Sequence, residues 1–398
     1  MKRVALALLV VLAGVAGGVG TATAATDADA QAVECEFPIT VTDATGTEVR
    51  VEAEPDRVIV LGPSTAQTMW EIGAQGKVVG MPVNQYTAYL NGSEAKAHVV
   101  NDRGLPVQER VVNQSADLVL APNIIQNDTV ESLRSAGQTV YRFDAATTLE
   151  DVYAKTERTG LLVGEFESAA RVSAEMRATV EAVRGAVADE PRPRVYYPLG
   201  GGYTAGSGTY IDDVIAAAGG ANIAAEAGLS GYEAISNEVI GFRDPEWIVL
   251  AGLPAPPANL AVNRSTAVQN DQVLSVNANY LNQPGPRTLG PLVAMAEAFH
   301  PDAMADVDTE NVEAVEPTQC GAVGESTANP ADGSPSAPAG GSGETAGSTV
   351  DVTGSVTVNL QSNDPTPTET TGDTGPGFTA GMVVLAVAVL ALIARREM

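Results

Sequence analysis

The stretch that decides the fold is EFESAARVSAEMRATVEAVRGAVAD, residues 165–189. Its apolar residues recur at helical spacing. Most of them can share one helix face, namely Phe166, Ala170, Met176, Val180, Val183 and Val187, whereas Val172 lies off that face. At a rise of about 1.5 Å per residue such a helix would be roughly 35 Å long. The prolines that follow, Pro191 and Pro193, stop the helix. We therefore expect one long, half-buried helix in the middle of the chain.

Short runs rich in Val and Ile lie on both sides of this helix. Before it stand DRVIVLG, DLVLAPN and TVYRFD, and after it RVYYPLG, EWIVLAG and QVLSVNA. Runs of this length are typical of buried parallel strands, and amphipathic stretches separate most of them. The sequence therefore predicts an α/β fold of two lobes with central, mostly parallel sheets, joined by the long helix as a spine.

Changes in composition divide the chain into segments. We predict a signal peptide (residues 1–25), an N-terminal lobe (35–150) and connecting helices that include the spine (151–190). A C-terminal lobe (191–320), a stalk rich in Ser, Thr, Pro, Gly and acidic residues (321–375) and a C-terminal anchoring segment (376–398) follow. The stalk cannot bury enough apolar surface to fold, so we expect it to be disordered.

Both ends of the chain point to export and anchoring. Residues 1–25 combine Lys2 and Arg3 with an apolar core and a small-residue cleavage region, which is typical of a secretory signal. Residues 378–394 form an apolar run barely long enough to cross a bilayer. Arg395 and Arg396 follow as a cytoplasmic stop. The predicted location is the outer face of the cell membrane.

The charge balance is strongly acidic, with 49 acidic against 22 basic residues and a net charge of -27. Such a surface repels nucleic acid and anionic lipid, so we expect no nucleic-acid partner. Two explanations of the acidic charge remain open. The carboxylates could form a docking surface for a cation, or they could be an adaptation to high salt, in which they keep the protein hydrated.

The two cysteines, Cys35 and Cys320, stand near the two limits of the folded part. In an exported protein they are expected to form one disulfide, the alternative being two unlinked buried thiols. Four sequons are compatible with glycosylation outside the cell, at Asn91, Asn113, Asn127 and Asn263.

Signals of catalysis are weak. The two histidines, His98 and His300, stand far apart without neighbouring ligands, so no metal site is predicted. Ser64 lacks a nucleophile elbow, and there is no phosphate loop. We expect no enzyme and no cofactor. A structural or adhesive surface-layer protein remains the alternative of another class, although the repeats that it predicts are absent from the sequence.

Five segments in order resemble the helical-backbone class of ABC-transporter substrate-binding proteins, which capture vitamin B12, iron siderophores or haem. They are RVIVLGPSTAQTMWEIGAQGKVVGMP, ERVVNQSADLVLAPN, YTAGSGTYIDDVIAAAGGANIAAEAG, ISNEVIGFRDPEWIVLAG and QPGPRTLGPLVAMAEAFHP. The resemblance implies capture of a ligand between two lobes and delivery to an ABC permease with its ATPase. It makes a corrinoid the first choice of ligand and a ferric siderophore or haem the alternative, and we expect a monomer.

The resemblance also assigns residues. Glu109 and Glu238 match the glutamates, one on each lobe, that dock onto permease arginines, and Arg287 matches a guanidinium that reaches the cleft. Loops at the carboxyl ends of the strands are where α/β sheets bind ligands, and tyrosines there suit a large planar ligand. The candidate ligand-binding residues are Ser64, Tyr86, Tyr89, Asn123, Tyr203, Tyr280 and Arg287.

The C-terminal segment resembles the sorting signal of archaeal surface proteins. Pro376, Gly377 and Phe378 stand before the apolar run and the basic end, in the order of that signal. The resemblance implies an archaeosortase-like partner that replaces the tail by a lipid, and a halophilic archaeon as the source.

Overall fold

The computed structural model describes residues 35–309. The expectations for the signal peptide, Cys320, the stalk and the C-terminal anchor lie outside these residues. None of the helices within residues 35–309 combines the length and the apolarity that a membrane span needs.

The strands of the N-terminal lobe form a hairpin and a parallel sheet. They are β1 (Ile39–Thr42), β2 (Glu48–Val51), β3 (Val58–Val60), β4 (Val78–Met81), β5 (Ala97–His98), β6 (Leu118–Ala121) and β7 (Val140–Arg142). β1 pairs antiparallel with β2. The other five form one parallel sheet in the order β5-β4-β3-β6-β7. Every residue of β6 is buried, which explains its continuous apolar sequence.

The strands of the C-terminal lobe form two sheets. They are β8 (Arg194–Tyr196), β9 (Pro198–Gly200), β10 (Tyr203–Ala205), β11 (Ala221–Asn222), β12 (Tyr232–Ala234), β13 (Trp247–Ala251) and β14 (Val273–Val276). The order β11-β8-β13-β14 is parallel, and β12-β10-β9 is antiparallel. The six predicted strand runs all contain strands, and the predicted fold class is confirmed.

Helices cover and connect the sheets. They are α1 (Pro63–Glu71), α2 (Gln108–Val112), α3 (Asn127–Ser135), α4 (Leu149–Val163), α5 (Phe166–Ala186), α6 (Tyr210–Ala217), α7 (Ile223–Glu226), α8 (Asn237–Arg243), α9 (Leu260–Asn263), α10 (Thr266–Gln269), α11 (Ala278–Leu281), α12 (Leu289–Phe299) and α13 (Pro301–Met304).

The spine is an antiparallel pair of helices, α4 and α5. Thr148 and Asp151 form a capping box at the start of α4, and Gly164 ends it in the left-handed conformation.

The predicted long helix corresponds to α5, three residues shorter at its C-terminal end than expected. The exclusion of Val172 from the buried face was wrong, and Ala169 rather than Ala170 is fully enclosed. α5 packs against α4, α6 and α12, so its buried stripe is wider than one face.

The two ends of α4 are bound to different lobes. At its start, the Leu149 amide donates to Asp213 Oδ2 of α6 at 2.7 Å. At its end, Lys77 Nζ of the N-terminal lobe donates to the Val163 carbonyl at 2.6 Å. The spine therefore lies between the lobes and is fastened to each.

Gly160 of α4 and Ala169 of α5 mark the closest approach within the spine. A Gly to Ala change inside a helix normally stabilises by about 1 kcal/mol. At Gly160 the added Cβ would lie 2.2 Å from Ala169 Cβ and 2.7 Å from the Glu165 carbonyl oxygen. We therefore expect Gly160→Ala to lower the free energy of unfolding by about 2 kcal/mol in a urea titration.

The matched control is Gly185→Ala, also within the spine. Nothing lies within 4 Å of a Cβ added there. It should leave stability unchanged or raise it by up to about 1 kcal/mol. Equal stability of the two variants would contradict the close packing of α4 on α5.

Candidate ligand-binding site

The lobes meet where strands of their parallel sheets end. Segments that follow β3 and β4 in one lobe contact the segment that follows β14 in the other. We call residues 277–288 the crossing segment; it contains α11 and a 3-10 turn at Pro286–Thr288. The carboxyl edges of parallel sheets are the usual position of ligand sites in α/β proteins.

Side-chain amides make the contacts between the crossing segment and the N-terminal lobe. Asn279 Nδ2 donates to the Gln85 carbonyl at 3.3 Å, and Gln283 Nε2 donates to the Tyr86 carbonyl at 2.9 Å. Gln283 Nε2 also lies 3.1 Å from Asn279 Oδ1. These groups are neutral, so this part of the contact between the lobes is polar without being ionic.

Gln67 of α1 is the centre of this network. It is fully buried, and its Nε2 donates to Tyr89 OH at 2.9 Å and to the Asn279 carbonyl at 3.3 Å. Its Oε1 accepts from the Arg287 amide at 3.0 Å. Tyr89 OH donates onward to Gln283 Oε1 at 2.9 Å. Burial raises the pKa of Tyr89, so its hydroxyl keeps the proton that this chain of bonds needs.

Arg287 lies on the same contact. Its Nε donates to Glu71 Oε1 at 2.6 Å, and its guanidinium carbon lies 5.1 Å from the Tyr89 ring centroid and 5.4 Å from that of Tyr280. Tyr89 and Tyr280 meet edge to face at 5.6 Å. Partial burial acts to lower the pKa of Arg287, but the bond to Glu71 outweighs it and raises that pKa. The charge of Arg287 is therefore neutralised within the protein.

Together these contacts collect four of the seven predicted ligand residues at one edge: Tyr86, Tyr89, Tyr280 and Arg287. Tyr86 is 38% exposed and is the most accessible aromatic group of this edge. Ser64 lies nearby. Lys155 Nζ donates to Ser64 Oγ at 2.8 Å and to the Pro284 carbonyl of the crossing segment at 3.0 Å.

Asn123 and Tyr203 are placed apart from this network. Asn123 follows β6, and its carbonyl accepts from Arg142 of β7 at 2.8 Å. Tyr203 opens β10 of the small antiparallel sheet and pairs with Gly200 and Ala234. Their roles in ligand binding stay predictions.

The family of the chain follows from comparison with known proteins. A family model described as periplasmic binding protein matches residues 58–280. The chain belongs to the periplasmic binding protein family. This confirms the family that the sequence resemblance indicated and accounts for the two parallel sheets.

Particular members of the periplasmic binding protein family are similar over most of the described residues. The chain is 45% identical over 273 residues to a cobalamin-binding protein of Halobacterium salinarum, a match that covers 64% of this chain and 72% of the relative. That relative is named as a binding protein, and so are the two proteins of known structure that share the fold.

Two solved structures share the fold. The periplasmic vitamin B12 binding protein of Vibrio cholerae matches with a TM-score of 0.54 and 23% identity, over 62% of this chain and 97% of that chain. The periplasmic heme-binding protein of Roseiflexus matches with a TM-score of 0.55 and 22% identity, over 62% of this chain and 99% of that chain. At these identities the likeness concerns the fold alone.

Sequence reasoning missed the polar residues that join the lobes of this periplasmic binding protein: Gln67, Glu71, Lys155, Asn279 and Gln283. Gln67 and Glu71 stand four residues apart on α1 and share a helix face, a spacing that was visible in the sequence. Lys155 also lies at helical spacing from the buried residues Val152 and Thr159. The partners in the crossing segment gave no comparable signal.

The two predicted docking glutamates occupy similar positions on the two lobes. Glu109 lies in the first turn of α2 and Glu238 in the first turn of α8, and both are exposed. Phe242, one turn beyond Glu238, is 84% exposed. The docking role of the glutamates stays a prediction.

Replacing Gln67 tests the network. Gln67→Leu keeps a side chain of similar size but leaves Tyr89 OH, the Asn279 carbonyl and the Arg287 amide without this partner. Because a buried polar group without a partner costs about 1–3 kcal/mol, we expect the free energy of unfolding to fall by about 3 kcal/mol.

The control is Gln75→Leu in an exposed turn of the same lobe, which should change the free energy of unfolding by less than about 0.5 kcal/mol. Urea titration of both variants measures the difference. A Gln67→Leu protein as stable as the control would mean that the network contributes no stability.

Proposed function

We propose that the protein is the extracellular substrate-binding component of an ABC importer and that its cargo is a corrinoid of the vitamin B12 type. It captures the corrinoid between its two lobes and delivers it to a membrane permease. No covalent chemistry is involved.

The observation that carries this proposal is the neutral, amide-rich contact between the lobes. Gln67, Asn279 and Gln283 supply side-chain amides, and Tyr89 and Tyr280 supply aromatic faces with hydroxyl groups. A corrinoid is a large flat macrocycle with carboxamide side chains around its edge. The buried amides hold this edge in place through their bonds to one another, and an exposed ring such as Tyr86 offers a flat, uncharged face that suits a macrocycle.

Charge supports the same cargo. Arg287 is already paired with Glu71 and brings no net charge to the edge of the site. Haem carries two carboxylates that need cationic partners, and of the two cationic side chains described at this contact Arg287 is already paired and only Lys155 is left. The 45% identical relative is named a cobalamin-binding protein, and that name agrees with a corrinoid cargo.

Equilibrium dialysis of the detergent-purified full chain against cyanocobalamin tests the proposal. We expect saturable binding of one cobalamin per chain. Haemin and a ferric hydroxamate, dialysed in parallel, should bind more weakly. Tighter binding of either iron compound would keep the importer role and replace the cargo, whereas saturable binding of none of the three would reject the function.

Delivery is proposed to depend on Glu109 and Glu238. A carboxylate on each lobe suits registration on basic permease side chains. We expect Glu109→Gln with Glu238→Gln to abolish stimulation of permease ATPase activity in proteoliposomes while cobalamin affinity stays unchanged.

The matched control for this pair is Glu167→Gln with Glu181→Gln, two exposed glutamates of α5. These changes remove the same charge at another surface and should leave ATPase stimulation intact. Equal loss with both pairs would attribute the effect to overall charge instead of to docking.

We also propose that the chain is exported through residues 1–25, is anchored at its C-terminus through residues 376–398, carries a Cys35–Cys320 disulfide and acts as a monomer. The four sequon asparagines are exposed, as glycosylation requires. Mass analysis of the mature protein under non-reducing conditions tests processing and disulfide together. An intact N-terminal segment or two alkylatable thiols would reject the corresponding proposal.

A further inference from the structure

Lys155 stands at the point where three parts of the fold meet. It belongs to α4, and its Nζ lies 2.8 Å from Ser64 Oγ of the N-terminal lobe and 3.0 Å from the Pro284 carbonyl of the crossing segment. Ser64 and Lys155 are both half-buried residues. The pair therefore lies between the lobes, beside the network described above.

The ammonium of Lys155 has neutral partners. A lysine ammonium only donates, so Ser64 Oγ accepts its hydrogen and the Ser64 hydroxyl hydrogen is left for a further acceptor. Within residues 35–309, Lys155 Nζ is the hydrogen-bond partner of Ser64 Oγ. The Phe143 ring centroid lies 6.0 Å from Nζ.

Charged groups on the elements packed around Lys155 are engaged elsewhere. Glu71 of α1 pairs with Arg287, Asp213 of α6 pairs with Arg184 of α5, and Glu157 of α4 pairs with Arg177 of α5. Asp151 caps α4, and Asp144 after β7 is exposed. Burial lowers the pKa of Lys155 to about 7.

A second positive pole meets Lys155 at Ser64. Ser64 lies in the first turn of α1, a helix of nine residues whose N-terminus has no side-chain cap and no acidic residue in its first turn. The N-terminus of a helix attracts anions through its dipole and its free N–H groups. In the same turn, the fully buried Thr65 has a hydroxyl without a hydrogen-bond partner.

Two positive features without a counter-charge, the Lys155 ammonium and the N-terminus of α1, thus meet at Ser64 at the border of the cleft. A neutral cargo would leave the ammonium without a counter-charge. An anionic oxygen placed there would accept from Lys155 and Ser64 and face the N-terminus of α1, which is the usual arrangement for a bound phosphate.

We propose that Lys155, Ser64 and the N-terminus of α1 form a subsite for the anionic phosphodiester of a cobalamin nucleotide loop. The inference rests on the proposed function and makes it more specific. It fits a cargo that has many neutral amides and one phosphodiester, and it predicts discrimination against a corrinoid that lacks the nucleotide loop.

The direction of the pH dependence follows from the proton on Lys155. The protonated form binds the phosphodiester, so cobalamin affinity is greatest below about pH 7 and falls as the pH rises through that value. Stability changes in the opposite direction. Between about pH 7 and pH 10.5 the unfolded chain holds this proton and the folded chain does not. The free energy of unfolding therefore rises with pH over that range.

The experiment compares cyanocobalamin with dicyanocobinamide, which lacks the phosphodiester and its nucleotide, on the full chain from about pH 6 to about pH 9. We expect the wild type to lose about tenfold or more in cobalamin affinity across this range and to show little change with cobinamide. Lys155→Met should weaken cobalamin binding by about 10- to 100-fold and remove its pH dependence.

Cobinamide affinity should be the same for Lys155→Met and the wild type. Ser64→Ala should weaken cobalamin binding by about threefold to tenfold, again without effect on cobinamide. Lys96→Met, the same substitution at a lysine stacked near Trp70 and outside the cleft, should match the wild type with both corrinoids.

Equal weakening of both corrinoids by Lys155→Met would assign the lysine a general structural role and overturn the subsite. A wild-type pH profile shared by both corrinoids would overturn it as well, and that measurement does not depend on any variant folding. If the wild type binds neither corrinoid, the proposal of a corrinoid cargo is rejected, and the proposed subsite is rejected with it.

Discussion

The close packing of α4 on α5 is the constraint on which the two-lobe arrangement depends. Gly160 allows the helices to touch at Ala169, and the two ends of α4 are fastened to different lobes by Lys77 and Asp213. Methyl and glycine contacts of this kind leave little room for sliding, because protein interiors are packed as densely as crystals. The spine therefore sets the spacing of the sheets, and the remaining contacts between the lobes act within that limit.

The contacts between the lobes differ in kind from one side to the other. Near the spine, one apolar cluster continues from Val58 of the first sheet through Met176 of α5 to Met295 of α12. At the carboxyl edges, the crossing segment is held by hydrogen bonds from amides and hydroxyls. Replacing a hydrogen bond within the protein by one to water changes the free energy by only about 0.5–1.5 kcal/mol. The contact at the carboxyl edges can therefore open at a small free-energy cost while the apolar contact near the spine stays closed.

Local patterns in the sequence were enough for the sheets and the spine. Buried strands such as β6 and β13 are continuous apolar runs, so their burial is visible in the letters. The width of the buried stripe on α5 could not be predicted, because it depends on which helices pack beside it. The small antiparallel sheet was also missed, since Gly200 and Gly202 adopt positive φ in a tight connection instead of entering a helix.

The candidate site was predictable only in part. Their position in loops at strand ends indicated Tyr89 and Tyr280, the resemblance indicated Arg287, and the structure brings the three into contact. Gln67 and Gln283 lie more than two hundred positions apart in the sequence, and no local spacing relates them. Their contact through Tyr89 exists because parallel strands of two separate sheets end at the same border. Polar networks of this kind are a product of the fold as a whole.

The neutral bonds between the lobes and the exposed glutamates differ in their response to ionic strength. Hydrogen bonds between amides and hydroxyls are not screened by salt, whereas exposed carboxylates act over a Debye length that shrinks from about 10 Å at 0.1 M to about 3 Å at 1 M. The bonds among Gln67, Tyr89 and Gln283 are thus indifferent to the salinity of the medium, whereas the partly exposed pair of Arg287 with Glu71 is weakened by salt. If Glu109 and Glu238 dock onto a permease as proposed, that contact weakens as salinity rises, and in brine it would have to be supplemented by uncharged surface such as the exposed ring of Phe242.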